Sequence, residues 1–359
     1  MLTIHRNRSK SFRLVAAVFC VILVGCAGRV GLAENHGGAE SFGSRKILET
    51  LWTPDQLRGG DHDIARMTLD APDLRPPERT EPLHELPPVP EALQKVIVAV
   101  EPEGGEKVAA LTFDLCERAP HLAGYRFDLV NFLRENNISA TFFAGGKWMR
   151  SHPDKTMQLM ADPLFELGNH AWTHGNLALM NEEEIREQLL WTQAEYEILR
   201  ERLAERAKLR GVSGEMRLVP ESLRLMRLPY GRNEARTLPV IASLGLPVIG
   251  WSVEGESSGP HGGSGPEAIV RYDLRQARPG VIYLMHANAV PKTTQTVVRE
   301  LVPLLQARGY RFVTVSELLR MGKPVKVEMG YFTTPGDNLF LDALFGGKGT
   351  LGRTDKVKY

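Results

Sequence analysis

Between residues 107 and 320 the sequence alternates between short apolar runs and longer segments with helical periodicity. The apolar runs predict strands at 108–113, 138–146, 223–229, 246–253 and 280–286, with a last strand in the run that begins at Tyr310. The intervening segments predict helices at 125–136, 155–161, 182–209, 234–243, 266–276 and 293–307. Strands that alternate with helices form parallel sheets, and about seven such units favour a closed or nearly closed barrel over an open sheet.

The helix predicted at 182–209 has the clearest beginning. Asn181 precedes it and Glu184 follows three residues later, which is the spacing of a capping box. We therefore expect this helix to begin directly after Asn181.

The residues suited to chemistry fall at or just after the ends of predicted strands. They lie in LTFDLCE at 111–117, in RLPYG at 227–231 and in YLMHAN at 283–288. The C-terminal ends of parallel barrel strands meet at one rim, where barrel active sites are found. The pattern therefore predicts a functional site at that rim.

A histidine pair lies in GNHAWTHG, residues 168–175. His170 and His174 are four residues apart, so on a helical turn both imidazoles would point the same way. Two neutral imidazoles on one face can hold a divalent metal such as zinc. The alternative is an ordinary polar helix face.

The N-terminus has the pattern of an export signal. Basic residues lead into the apolar run 14–25, which is too short for a comfortable membrane span. The run ends in Leu-Val-Gly-Cys, which resembles a bacterial lipobox with Cys26 as the lipidated residue. This predicts a lipoprotein signal peptide at 1–25, and resemblance to Gram-negative lipoproteins implies an outer-membrane anchor facing the periplasm. The alternatives are an ordinary signal peptide or an uncleaved anchor.

Residues 26–106 are predicted to be a flexible tether. Seven prolines between Pro72 and Pro90 favour extended backbone, which suits a spacer between a membrane and a domain. Trp52 and the apolar run 96–100 leave open that this segment packs on the main domain instead. Residues 321–359 are a C-terminal extension without an assigned role.

Composition limits the partners and the covalent cross-links. The formal net charge is +1, so nothing indicates nucleic-acid binding, which usually calls for a markedly basic domain. Of the three cysteines, Cys20 would be removed with the signal peptide and Cys26 lipidated. Cys116 would then have no intramolecular partner, and we expect no disulfide.

Five stretches in this order resemble the polysaccharide deacetylases, the NodB-homology domain of carbohydrate esterase family four. They are TFDLCE, HAWTH, RLPYG, WSVEGES and LMH, and the resemblance covers roughly residues 107–320. It implies a distorted (β/α) barrel that uses a divalent metal, zinc or else cobalt or nickel, to remove acetyl groups from an N- or O-acetylated polysaccharide.

The resemblance also implies roles for individual residues. His170 and His174 match the metal ligands, and Asp114 matches the general base. Arg227 matches the arginine that orients this base, and Tyr230 lies in the loop whose backbone N–H helps to hold the oxyanion. His286 matches the general acid, and Leu284 the lining of the acetyl pocket.

The first motif departs from the family pattern TFDD. Leu115 stands where the family has the aspartate that completes the metal site, and leucine cannot ligate. We choose Glu117 as the third ligand, with Cys116 as a soft-donor alternative. The remaining possibility is that the third ligand is lost and metal binds weakly or not at all.

The fourth motif departs as well. The family pattern of Asp, two residues and Asp-Trp falls on residues 254–258, where the second Asp and the Trp are missing. Glu254 or Glu256 would have to orient the acid histidine.

The sequence therefore predicts an exported, lipid-anchored, metal-dependent deacetylase of a cell-envelope or extracellular polysaccharide. One alternative is a degenerate barrel that binds glycan without turnover. Another is a metal-independent amidohydrolase of small C–N substrates, which the two retained histidines disfavour.

Overall fold

The computed structural model describes residues 42–259 and 262–345. The predicted signal peptide and the lipidation site Cys26 lie outside the described residues. Among the residues that are described, no helix is both long and apolar enough to cross a membrane.

Strands and helices alternate through most of the described chain. The strands are β1 Met67–Thr68, β2 Val96–Pro102, β3 Val108–Leu115, β4 His121–Leu122, β5 Ala140–Ala144, β6 Phe165–Asn169, β7 Val253–Glu254, β8 Val281–His286, β9 Arg311–Phe312 and β10 Gly322–Val327. The helices are α1 Arg45–Leu51, α2 Pro54–Arg58, α3 Phe127–Glu135, α4 Gly146–Ser151, α5 Pro153–Ala161, α6 Glu182–Leu209, α7 Thr237–Ser243, α8 Pro266–Gln276, α9 Thr294–Ala307, α10 Val315–Arg320 and α11 Leu341–Leu344.

The parallel strands follow a closed path, which confirms the predicted (β/α) barrel. β8, β3, β5 and β6 pair side by side in parallel. β6 continues through single parallel bridges from Asn169 to Met226 and from Met226 to Val248. The chain from Val248 then leads into β7, which pairs in parallel with β8 and completes the ring.

Two predicted strands are less regular than expected. The segments 223–229 and 246–253 contribute isolated bridges and the short β7 rather than continuous ladders. In this part of the ring, the Arg227 side chain donates hydrogen bonds to the carbonyl oxygens of Ile249 and Gly250.

The side chains of β3 alternate between two cores. Ala110 belongs to the apolar cluster inside the ring, whereas Leu111, Phe113 and Leu115 belong to the cluster between strands and helices. This two-residue period directs the intervening Thr112 and Asp114 to the inside of the ring. Every residue of β3 is buried, as expected for a parallel strand covered on both faces.

Helix α6 begins where its sequence predicts. The Asn181 side chain accepts a hydrogen bond from the Glu184 N–H, and the Glu184 side chain accepts one from the Asn181 N–H. The capping-box prediction is confirmed.

The prediction of a flexible tether needs correction for residues 42–106. Trp52 is buried and its indole N–H donates to Asp154. The run 96–100 lies in β2, which pairs antiparallel with β10 and β8. Apolar side chains of both segments are buried against the barrel, which stabilises the packing of this region on the domain.

The C-terminal extension also belongs partly to the domain, because β10 extends the sheet through β2. This strand was missed because GKPVKV is half-exposed and carries a proline and two lysines. Such a sequence suits an edge strand but gives little hydrophobic signal.

Candidate active site

Two neighbouring strands direct functional side chains into the barrel mouth. Asp114 at the end of β3 is in register with His286 at the end of β8. Leu284 lies two residues before His286, so it faces the same interior and belongs to the inner apolar cluster. The structure therefore brings the predicted base, the predicted acid and the predicted acetyl-pocket residue to the same rim.

Arg227 is completely buried and holds Asp114 in place. Its guanidinium donates to Asp114 Oδ1 at 3.2 Å and to Thr112 Oγ1 at 2.7 Å. Two further bonds, to the carbonyls of Ile249 and Gly250, fix the guanidinium plane. Burial lowers the pKa of Arg227, but the adjacent carboxylate opposes this change. The two side chains form a charge-assisted ion pair that orients the Asp114 carboxylate.

The two histidines lie on a loop after β6, so the helical turn assumed for them is wrong. Ala171 and His174 have φ values of 61° and 52°, which are left-handed conformations that break a helix. Asn169 stabilises the turn by accepting the Ala171 N–H at 2.9 Å. The imidazole rings of His170 and His174 nevertheless lie 4.8 Å apart between centroids.

Cys116 completes a cluster of three donor atoms with these histidines. Its Sγ lies 3.3 Å from His170 Nε2, and one ligand atom from each of Cys116, His170 and His174 lies within 4.8 Å of the others. His170 Nδ1 lies 2.9 Å from the backbone carbonyl oxygen of Arg227. Because a carbonyl oxygen can only accept, Nδ1 carries the proton and Nε2 points toward the cluster.

These donors fit a divalent metal. One thiolate and two imidazoles are ligands that zinc prefers, and the bond from His170 Nδ1 to a backbone carbonyl would orient the ring of a ligating histidine. His174 Nδ1 is buried and, within the described ranges 42–259 and 262–345, has no hydrogen-bond partner. Such a nitrogen is suited to binding a ligand that the protein alone does not supply.

Electrostatics at the cluster favour the thiolate. Burial raises the pKa of Cys116, but the two histidines outweigh it and bring this pKa well below its ordinary value. Burial lowers the pKa of His170, yet Asp114 and Cys116 raise it overall. Burial dominates at His174 and lowers its pKa.

Glu117 faces away from the histidines, so its tentative assignment as the third ligand is corrected. Its carboxylate is fully buried, with Oε1 accepting from Lys147 Nζ at 2.7 Å and Ser151 Oγ at 2.6 Å. The other oxygen, Oε2, accepts the Ala123 N–H at 2.8 Å. A buried lysine requires this counter-charge, and the pair holds the loop that follows β3.

Leu115 also points away from the site. It is fully buried in the cluster between strands and helices. With the backbone conformation seen here, an aspartate at this position would therefore place its carboxylate in an apolar core. An aspartate introduced here could reach the histidines only if the end of β3 changed its orientation.

Glu256, rather than Glu254, is the partner of His286. Its Oε2 lies 2.6 Å from His286 Nδ1, and its Oε1 accepts the His286 N–H at 2.8 Å and the Thr294 hydroxyl. Burial lowers the pKa of His286, but the Glu256 carboxylate reverses this and raises it well above the ordinary value. Burial and the nearby Glu256 raise the pKa of Glu254.

Tyr230 lies in the turn that follows Met226 and has a φ of 61°. A non-glycine residue in this region is strained and needs surrounding contacts to hold it. The Tyr230 ring packs edge-on against His174, with 4.4 Å between ring centroids. The predicted oxyanion loop therefore lies next to the Cys116–His170–His174 cluster.

Some site residues could not be assigned from the sequence alone. Cys116 was only an alternative there, although its place two residues after Asp114 was the available signal. Glu256 was one of two candidates. The C-terminal residues Asn338, Asp342 and Phe345, which contact the Tyr230 turn and its neighbours, gave no sequence signal.

Comparisons with known proteins identify the family of this chain. The family model for polysaccharide deacetylase matches residues 101–249. A chitooligosaccharide deacetylase of Azorhizobium caulinodans is 30% identical over 192 residues, which cover 50% of this chain and 80% of the relative. The chain belongs to the polysaccharide deacetylase family.

More distant members are also similar to this polysaccharide deacetylase. The peptidoglycan-N-acetylglucosamine deacetylase PgdA of Listeria monocytogenes is 28% identical over 226 residues, which cover 63% of this chain and 41% of the relative. The chain thus spans less than half the length of this relative. A solved structure of the Bc1960 peptidoglycan N-acetylglucosamine deacetylase has a TM-score of 0.49 and 23% identity, and the match covers 63% of this chain and 93% of that chain.

Proposed function

We propose that this chain is a metal-dependent hydrolase that removes acetyl groups from an N- or O-acetylated glycan of the cell envelope. The observation that carries the proposal is the meeting of three groups at one barrel rim. These are the Asp114–Arg227 pair, the His286–Glu256 pair and the Cys116–His170–His174 donors. Hydrolysis of an acetamide or acetate ester needs all three functions.

The metal would be held by Cys116, His170 and His174, and zinc suits this mixed sulfur and nitrogen set best, with cobalt or nickel as substitutes. When bound, it supplies a Lewis acid that polarises the acetyl carbonyl and acidifies water.

The protein residues perform the remaining steps. Asp114, oriented by Arg227, takes a proton from the attacking water. The Tyr230 N–H donates to the oxygen on which negative charge develops. His286 gives its proton to the leaving nitrogen or oxygen as the bond to the acetyl carbon breaks. Leu284 contacts the acetyl methyl group.

An acetate-release panel tests this function. Purified protein is incubated with acetylated peptidoglycan, chitooligosaccharides, a β-linked N-acetylglucosamine polymer and acetylated xylan. We expect release from at least one substrate, with the amino sugars favoured because the two relatives are named for them. Metal bound at the cluster without release from any substrate would instead favour a glycan-binding barrel.

Replacing Cys116 with Ser should weaken zinc binding by roughly 100-fold. The free energy of zinc binding at structural sites is about 10–16 kcal/mol, and division among about four ligands gives about 3 kcal/mol for each. Cadmium-loaded wild-type protein should show the ultraviolet charge-transfer band of a metal–thiolate bond, and Cys116→Ser should not. Cys116→Asp is the matched control, since it should keep metal without the band. A band that persists in Cys116→Ser would disprove the assignment.

Replacing Glu256 with Gln should shift the alkaline limb of kcat/KM to lower pH by about 1 unit or more. Glu256 raises the pKa of His286, so the wild-type acid stays protonated to high pH and loses its proton only above that pKa. Without the carboxylate this pKa falls, and the acid form is lost earlier as pH rises. The pH–rate profile of Glu254→Gln is the control. An unmoved alkaline limb in Glu256→Gln would mean that another group carries the proton.

We also propose that Cys26 is lipidated and anchors the protein in the envelope, where the proposed glycan substrate lies. The support is the sequence of residues 14–26. Cys26→Ser should abolish labelling by fatty acid and release the protein from the membrane fraction. Unchanged labelling would contradict the anchor.

A further inference from the structure

The segment 328–345, which follows β10, is tied to loops of the candidate active site. Asn338 Nδ2 donates to the carbonyl oxygens of Tyr230 and Gly231, at 3.1 Å each. Asp342 accepts two bonds from Arg232, at 2.9 and 2.6 Å. This segment lies beyond the region 101–249 that the family model matches.

Phe345 completes a layer of stacked groups above the metal-ligand cluster. Its ring is parallel to that of Tyr230, with 4.5 Å between centroids. The Arg118 guanidinium carbon lies 5.0 Å from the Phe345 ring centroid and forms a cation–π contact with this ring. Tyr230 in turn contacts His174. Phe345 is only 3% exposed, so it is built into this layer.

The layer covers one half of the barrel mouth. Arg118 follows β3, and Tyr230 follows the Met226 segment, which lies across the ring from β3. Asp342 also accepts from Asn176, in the loop after β6 between these two positions. The other half of the mouth is formed by β8 and the segment leading into β7. There the His286 side chain is 28% exposed.

We propose that the segment 338–345 is a wall that determines which acetylated sugars reach the site. An internal residue of a long glycan needs a groove that is open on both sides of the reacting acetyl group. Here Phe345, Tyr230 and Arg118 close one side, so within the part of the chain that the structure describes the open approach for the glycan lies past His286. The site therefore takes a chain end or a short oligosaccharide. This inference rests on the proposed deacetylase function.

The same contacts make Asn338 and Asp342 positioning residues. The left-handed backbone at Tyr230 is strained, and bonds to its carbonyl oxygen and to the adjacent Arg232 hold it. The wall and the oxyanion loop are thus joined by these hydrogen bonds.

The test is the position of deacetylation on N-acetylglucosamine oligomers of increasing length. Mass-spectrometric sequencing of the wild-type products should show loss of acetyl at a terminal sugar. The deacetylation rate should be lower for longer oligomers and lowest for the polymer. Phe345→Ala should raise the ratio of polymer to short-oligomer rates by about tenfold or more, which is a usual steric discrimination. Met329→Ala, at an exposed residue of the same tail that lies before the wall, should leave the ratio unchanged.

Equal wild-type rates at internal and terminal sugars would overturn the wall. If no substrate releases acetate, the proposed function fails. The wall is then tested independently of activity, by the rate at which Cys116 is labelled in metal-free protein. A bulky maleimide should then label Phe345→Ala faster than wild type, while a small alkylating reagent labels both alike. Equal labelling by the bulky reagent would contradict the wall. Phe345→Leu repeats both measurements if the alanine variant unfolds.

Discussion

Replacing Asp114 with Asn should lower acetate release by on the order of 100-fold or more, the usual contribution of a positioned proton-transfer group. Asparagine keeps the shape of the side chain and can still accept the Arg227 bond at 3.2 Å, but it cannot take a proton from water. The fold should change little, so far-ultraviolet circular dichroism and the melting temperature are measured beside the rate.

His286→Ala should have a similar effect, because it removes the only proposed donor for the leaving group. Asp55→Asn and His62→Ala change exposed residues of the same types and serve as controls. Full turnover by Asp114→Asn would rule out the mechanism, whatever the metal content of the variant.

Replacing Glu117 with Ala should destabilise the protein by about 3–5 kcal/mol, the usual cost of leaving one charge of a buried pair without its partner. Both side chains of the Glu117–Lys147 pair are fully buried. The measurement is the free energy of unfolding from denaturant titration. Glu78→Ala breaks an exposed pair with Arg202 and should cost no more than about 1 kcal/mol.

The Glu117 variant also separates a structural role from ligation. If the folded fraction of Glu117→Ala binds zinc as wild type does, the carboxylate acts through Lys147 and the loop after β3. If Glu117→Ala has normal stability but no longer binds zinc, Glu117 is a metal ligand after all.

Much of the barrel could be predicted because its signals are local. The apolar runs that became β3, β5 and β8 are continuous in sequence, and the capping box marks the start of α6. The register that places Asp114 beside His286 follows from both residues ending parallel strands. For this reason the rim site could be expected before its geometry was known.

The proposed third ligand could not be chosen from the sequence, because the choice depends on a residue far along the chain. Lys147 lies thirty positions after Glu117, and only the fold shows that it is buried and needs that carboxylate. With Glu117 engaged and Leu115 in the outer core, Cys116 is the residue of the loop that faces the histidines. The closing contacts of Phe345 depend on the same kind of long-range packing.

The most direct test of the central claim is acetate release before chelation, after chelation and after zinc is restored. The Cys116–His170–His174 site predicts that release from an acetylated amino-sugar oligomer is lost with the metal and returns with zinc. Release that persists in metal-free protein, or that stays absent in zinc-loaded protein on every acetylated glycan tested, would contradict it.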